Sequence, residues 1–392
     1  MRVVSKILRK KLTQLTEKAA LTDEETLEEV LDCLTQHISI DTQGAFDQRD
    51  LFQILVRAAS NQDSIENTAK ILKEVPCSND IRYHLDKIND FEEVEKQFNL
   101  ALKNKLPSGL KKKKLKLAID LNLIPYYGNP TEAELPYIYR SQAKAGTCSF
   151  YAYATLYIIK KNKRITLAIR GVRWLDTSVA IITYLLAELS TLKIDIKTLY
   201  LDRGFFSVAV IRWLKALKIP FIMPAIRRGK TGGIKQYLKG RNSYKTNHTM
   251  TRSQDDFVTF DLWIICKYRK GQRGKHGIEY FAYVVYQASI SLKYIHEDYR
   301  KRFGIESSYR LKNFCRIKTT NKKPALRLLF VCLSFLLVNV WINLLWHRIS
   351  CPRRGGRLVY RELFTLKQML RFLCQAVDRI YQVVEGVYLP SG

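Results

Sequence analysis

Residues 164–226 read RITLAIRGVRWLDTSVAIITYLLAELSTLKIDIKTLYLDRGFFSVAVIRWLKALKIPFIMPAI, and two kinds of pattern alternate along them. Residues 164–172 are short and β-prone, whereas 177–192 carry apolar side chains at helical spacing. A short buried strand is expected at 198–201, a helix at 207–217 and a further strand at 219–226. Upstream, 115–122 (LKLAIDLN) and 149–160 read as two more strands. Downstream, 227–240 is basic and glycine-rich. Residues 257–268 and 279–287 then read as a hairpin joined by the loop RKGQRGKHGI.

Three sequential strands followed by helix, strand, helix and strand is the order of a ribonuclease-H-like core. The expected fold is therefore α/β, a mixed sheet with flanking helices, interrupted by a β-rich insertion and preceded by an N-terminal helical domain. The expected boundaries are 1–105 for the helical domain, 111–226 for the first part of the core and 227–290 for the insertion. Residues 291–350 complete the core, and 351–392 form a basic, helical C-terminal tail.

In the first domain, Thr22 and Glu25 have capping-box spacing. SIENTAKILKEV, the break PCSND and IRYHLDKI read as helix, turn, helix, with Ser78 or Asn79 as cap. Such a pair is either a DNA-reading helix-turn-helix, with Arg82, Tyr83 and His84 opening the second helix, or an ordinary helical hairpin. The linker NKLPSGL follows at 104–110, then the lysine run 111–114, a solvated face or a phosphate contact.

The 392 residues carry 66 Lys+Arg against 36 Asp+Glu, a net charge of +30, and 47% of them are hydrophobic. So much apolar material excludes a disordered or low-complexity chain. Residues 1–100 hold 13 basic and 19 acidic side chains, against 53 and 17 in 101–392. A polyanionic partner, most simply nucleic acid, is implied for the second part. The eight cysteines show no metal-ligand spacing, which argues against zinc and against a disulfide framework and fits a reducing cytoplasm. The N-terminus lacks the apolar stretch of a signal peptide. Residues 328–346 run 19 positions without a charge, the length of a membrane span. Asn339, Asn343 and the flanking basic residues favour a buried core helix instead.

Three acidic residues carry the expected chemistry. Asp120 lies at the end of the first core strand, and Asp202 ends TLYLD just before Arg203 and Gly204. Carboxyl ends of neighbouring strands lie side by side, so the two aspartates should converge, where a divalent cation makes their repulsion tolerable. Either one is alternatively a turn or cap residue. In EDYRKRFGIESSYRLKNF, Tyr299, Arg302 and Glu306 fall at i, i+3 and i+7, on one helical face. Beside two aspartates they make a site for metal and phosphate together. Arg302 and Glu306 also have the spacing of a solvent-facing ion pair.

Tyr299-x2-Arg302-x3-Glu306 resembles the signature of the DDE transposases in the superfamily named for insertion sequence four. AIDLNLIPYYG (118–128) is similar to that family's first-aspartate segment, and YLDRGFFS (200–207) to its second. The resemblance covers roughly 111–350, and the LIPYYG run leans towards the group first described from halophilic archaeal elements. It implies that Asp120, Asp202 and Glu306 are catalytic and hold two Mg²⁺ ions, for which Mn²⁺ substitutes. It implies double-stranded DNA as partner, a homodimer in the DNA complex, no membrane and a nucleoid-associated place in the cytoplasm. The reaction is DNA cleavage at element ends followed by strand transfer, without ATP. Arg302 would orient phosphate, and Tyr299 would pack against or bond the DNA backbone.

Where the family often has Lys, seven residues past the glutamate, this chain has Asn313, with Lys312 and Arg316 nearby as substitute DNA contacts. Trp263 on the insertion is either a base-stacking residue or core, and Arg273 with its basic loop is a phosphate contact. Two other readings remain open: a catalytically inactive DNA-binding descendant of a transposase, and a nuclease that only hydrolyses.

Overall fold

The computed structural model describes residues 20–44, 46–107, 110, 114–159, 165–227, 232–268, 277–303 and 311–386. The chain divides into two compact units, residues 1–107 with 311–392, and residues 108–310.

Among the described residues, the first unit opens with the helices α1 (Asp23–Thr35), α2 (Gln48–Ser60), α3 (Ile65–Ile71), α4 (Ser78–Asp86) and α5 (Phe91–Asn104). The capping box at Thr22 and Glu25 is formed, and Asp47 with Asp50 makes a second one on α2. The cap of α4 differs from expectation. Cys77 is the N-cap, but its thiol donates to the Asp80 carboxylate at 3.1 Å rather than capping a backbone amide, and Ser78 donates to Glu66 at 2.5 Å.

The second unit is built on one sheet. Its strands are β1 (Lys114–Pro125), β2 (Tyr139–Lys144), β3 (Thr147–Ile158) and β4 (Thr166–Val172). Helix α6 (Ser178–Ala187), β5 (Asp195–Leu201), helix α7 (Val208–Ala216) and β6 (Phe221–Pro224) follow. The sheet order through this part is β4, β3, β1, β5, β6, with β3 antiparallel to β1 and β4, and β5 parallel to β1 and β6. This is the ribonuclease-H-like order. It arises because a meander of three strands needs only short turns, whereas each parallel neighbour needs a helical crossover.

The insertion does not stand apart. Strands β7 (Tyr244–Ser253), β8 (Asp256–Tyr268) and β9 (Ile278–Tyr286) continue the same sheet, with β9 pairing antiparallel to β6 through Phe221–Tyr286 and Pro224–Tyr283. An unpaired edge at β6 would expose its ladder groups, and the insertion covers it. Helix α8 (Ile295–Arg300) and the 3₁₀ turn Lys301–Phe303 follow. The α-helix therefore stops before Arg302, where the sequence suggests one helix continuing through position 306.

The long apolar helix α9 (Pro324–His347) belongs to the first unit, with a small two-stranded ribbon, β10 (Ser350–Arg353) and β11 (Gly356–Val359), and the last helix α10 (Leu366–Tyr381). This division differs from the expected grouping of 291–350 with the core and of 351–392 as a tail. The physical reason is α9 itself. It is apolar on all sides, and its most apolar stretch is fully buried among helices of its own unit, α5 foremost. Asn339, one of three buried polar residues of α9 with Ser334 and Asn343, donates to the Leu102 carbonyl at 3.3 Å.

Candidate active site

The parallel pairing of β1 with β5 runs to Ile119 opposite Leu201. Asp120 and Asp202 are the next residue on each strand, so both leave their strands at the same level and towards the same side of the sheet. Asp120 is not at the end of β1, which runs on to Pro125 paired with β3; it is where β5 ceases to accompany it. β5 ends at Leu201, and a 3₁₀ turn at Arg203–Phe205 leads into α7.

Arg302 joins the two aspartates. Its Nη1 lies 3.5 Å from Asp120 Oδ1 and its Nη2 3.2 Å from Asp202 Oδ1. Arg302 is only 6% exposed, and its backbone carbonyl accepts a 3.0 Å bond from Tyr157 on β3. Burial pushes the Asp120 carboxyl up to about 6, with Asp202 adding to the rise and Arg302 opposing it. The Leu121 amide donates to Asp120 Oδ1 at 3.0 Å, fixing that carboxylate.

Beneath this pair lies an aromatic bed. Tyr299 is 3% exposed and donates its hydroxyl to the Leu201 carbonyl at 3.0 Å, pinning the end of β5 next to Asp202. Trp263, Ile265, Tyr283 and Val285 of the insertion strands pack with Tyr200, Ile295 and Tyr299 in one buried cluster. Asp298, one residue before Tyr299, is a hub that sequence reasoning missed. It accepts from Lys116 at 2.7 Å, from Lys301 at 2.9 Å and from the Tyr200 hydroxyl. Burial raises Asp298, but these three donors outweigh it and hold its carboxyl below the usual carboxylate range. The signal was present as an acidic residue inside the EDYRKR run, yet a charged residue there reads equally well as solvated.

Three expected DNA contacts are corrected. Tyr299 and Trp263 do not face solvent: both are core, and Trp263 is 7% exposed with the Lys245 ammonium 4.1 Å from its ring centre. Lys312 belongs to the first unit and is fully buried, its ammonium 5.3 Å from the centre of the Phe335 ring. Arg316, in the same unit, is half-buried. Glu306 and Arg273 lie outside the described residues. Of the helix-turn-helix trio, Tyr83 is exposed, His84 is buried and Arg82 is held by Glu66 at 2.7 Å.

The donor set fits a hard divalent cation. Asp120 and Asp202 offer only carboxylate oxygens, and a positive guanidinium already lies against both of them. Among the described residues no group of three or more His, Cys, Asp and Glu side chains is gathered.

The central parallel strands of this mixed sheet thus carry two aspartates at the same level. The profile of the transposase DDE domain matches residues 113–340, more than half of the chain, and the chain belongs to that family. No curated protein sequence matches it. Among solved structures it is similar to the piggyBac transposase in its synaptic complex with hairpin DNA. The TM-score is 0.53 at 13% identity, over 91% of this chain and 77% of that one, which is a likeness of fold.

Proposed function

We propose that this chain is a DNA transposase of the insertion-sequence-four kind, which cuts DNA at the ends of its element and transfers the freed strands to target DNA. The observation that carries the reading is the convergence of Asp120 and Asp202 on Arg302 at the switch between β1 and β5, in a chain of the DDE-domain family. Glu306 is the third carboxylate. The three together would hold Mg²⁺, or Mn²⁺ in its place. When bound, such ions activate an oxygen nucleophile and stabilise the leaving oxygen of a phosphodiester.

The chain's own residues do the rest. Arg302 balances two carboxylates that would otherwise repel each other in a poorly hydrated place. Its planar fork also suits a phosphate oxygen of the DNA. Tyr299, bound to the Leu201 carbonyl, and Asp298, bound to Lys116, fix the helix end that carries Arg302 relative to β1 and β5. Strand transfer exchanges one phosphodiester for another, so no nucleotide is consumed. The partner is double-stranded DNA, the DNA-bound state holds two copies, and the place of action is the nucleoid.

The test is cleavage of a plasmid carrying the gene's own flanking DNA, with Mg²⁺ or Mn²⁺, beside Glu306→Gln. Metal-dependent cuts at fixed positions that vanish in the variant support the assignment. Cuts that persist in Glu306→Gln refute it, and cuts that are never followed by joining reduce the activity to hydrolysis.

A further inference from the structure

We propose that the ribbon β10–β11 is a separate docking element for duplex DNA, gripping backbone phosphates with Arg353 and Arg354. The inference rests on the DNA-acting reading above but on none of its catalytic residues.

The ribbon is a sheet of its own, four residues a strand, in register from Ser350–Val359 to Arg353–Gly356. Arg354 and Gly355 form a two-residue turn, and Gly355 has φ +80°, a conformation that glycine adopts without cost. Residues 352–356 are all exposed.

Its base is fixed while its tip is left bare. Arg357 donates from Nε to the Ser350 hydroxyl at 2.7 Å and from Nη2 to the Ser350 carbonyl at 3.1 Å. The Tyr360 amide bonds the Ile349 carbonyl at 3.0 Å, and Trp341 of α9 donates to the Phe364 carbonyl at 3.0 Å. At the tip, neither the Arg353 nor the Arg354 side chain has an ion-pair or hydrogen-bonding partner among the described residues. Arg353 and Arg354 are consecutive and exposed on a braced turn, and their side chains make no ion pair among the described residues of the fold. That is a strained choice for a surface without a polyanion to meet it.

The shape matches the charge. A two-stranded ribbon is one of the elements that the major groove of B-DNA admits, and guanidinium forks suit phosphate oxygens flanking the groove. Leu358 is exposed on β11 opposite Cys351, and by strand alternation it shares a face with Arg353. An apolar side chain beside the charges suits contact with sugars and bases rather than open water.

The experiment is fluorescence anisotropy of a labelled 30-base-pair duplex of arbitrary sequence. It uses the full chain without divalent metal, across a salt series. Arg353→Gln/Arg354→Gln is compared with Lys70→Gln/Lys96→Gln, which removes equal charge from the acidic N-terminal part, and thermal melts confirm that both variants fold. Two lost phosphate contacts should flatten the slope of log K against log salt by about 1.8 and weaken binding about 10- to 30-fold near 0.15 M salt. The lysine control should change neither. If the wild-type chain binds with a steep slope and the arginine variant matches it, or the control loses as much, the ribbon proposal fails while DNA binding stands. If the wild-type chain does not bind duplex DNA, both readings fall.

Discussion

Asp120 and Asp202 stand one residue past a single backbone pair, Ile119 with Leu201, and meet the same guanidinium at 3.5 and 3.2 Å. The register of two parallel strands thus places the acidic pair, and the 3₁₀ turn after α8 supplies the counter-charge. Replacing Arg302 by Met keeps the stem and removes that charge. In chelator the variant should lose about 1–3 kcal/mol, since Asp202 is partly hydrated and part of the repulsion is screened. Adding Mg²⁺ should raise its melting temperature by more than it raises that of the parent chain, because the cation no longer competes with a guanidinium. Equal increments in a pair of thermal melts would show that Arg302 does not occupy the cation's place.

Asp298→Asn tests the hub beneath the site. It leaves the Lys116 and Lys301 ammonium groups without their carboxylate, a loss of about 2 kcal/mol at neutral pH. The native carboxyl is held below its ordinary range, so its contribution is present above the unfolded value and is lost as pH falls through the folded one. The stability gap between parent and variant should therefore close in acid. A gap of constant size from pH 7 to pH 3, measured by denaturant titration, would contradict the ion-pair account.

Lys312 has the opposite sign. Burial, with Arg316 adding to it, pulls its ammonium down to about 7. A base lowered in the fold costs stability as pH falls from its ordinary value, near 10.5, through the folded one. Lys312→Met should thus melt higher than the parent at pH 7 by several degrees, roughly, and the advantage should shrink towards pH 10. A variant that melts lower at both pH values would show that the ammonium is a net asset where it lies.

Trp263→Ala separates a core residue from a base-stacking one. The ring fills the cluster shared by the insertion strands and α8, so truncation should cost about 3–5 kcal/mol without any DNA present. Trp263→Phe should recover most of that stability. An alanine variant that melts like the parent would return Trp263 to the DNA surface.

Much of the catalytic half was legible because each element speaks in its own period. Apolar runs bounded by turns marked β1, β3 to β6 and the two crossover helices, and an aspartate before Arg203–Gly204 marked a strand end. Strand β7 (YKTNHTMTRS) escaped because its alternation pairs polar with polar, and Met250 is its only purely apolar side chain. The fusion of the insertion with the sheet depends on the β6 edge finding β9, a pairing no local pattern encodes. The buried lysine at 312 misled for a related reason: a charged side chain reads as solvated until long-range packing, here by Phe335, encloses it. The compact unit that α9 joins was not legible, because α9 is uniformly apolar and carries no face to say which neighbours it will choose.

The helical unit is stitched from both ends of the described chain. Arg57 holds Asp378 at 2.9 Å, Tyr381 donates to Asp50 at 2.8 Å and Gln53 at 2.6 Å, and Leu72 bridges Val383. On the ribosome, α1 to α5 emerge first and must wait for roughly two hundred further residues before α9 and α10 arrive. At ordinary elongation rates that is a delay of about 10 to 40 s, during which their apolar faces have no native cover. Synthesis of α10 is accordingly the step that completes the native cover of those faces.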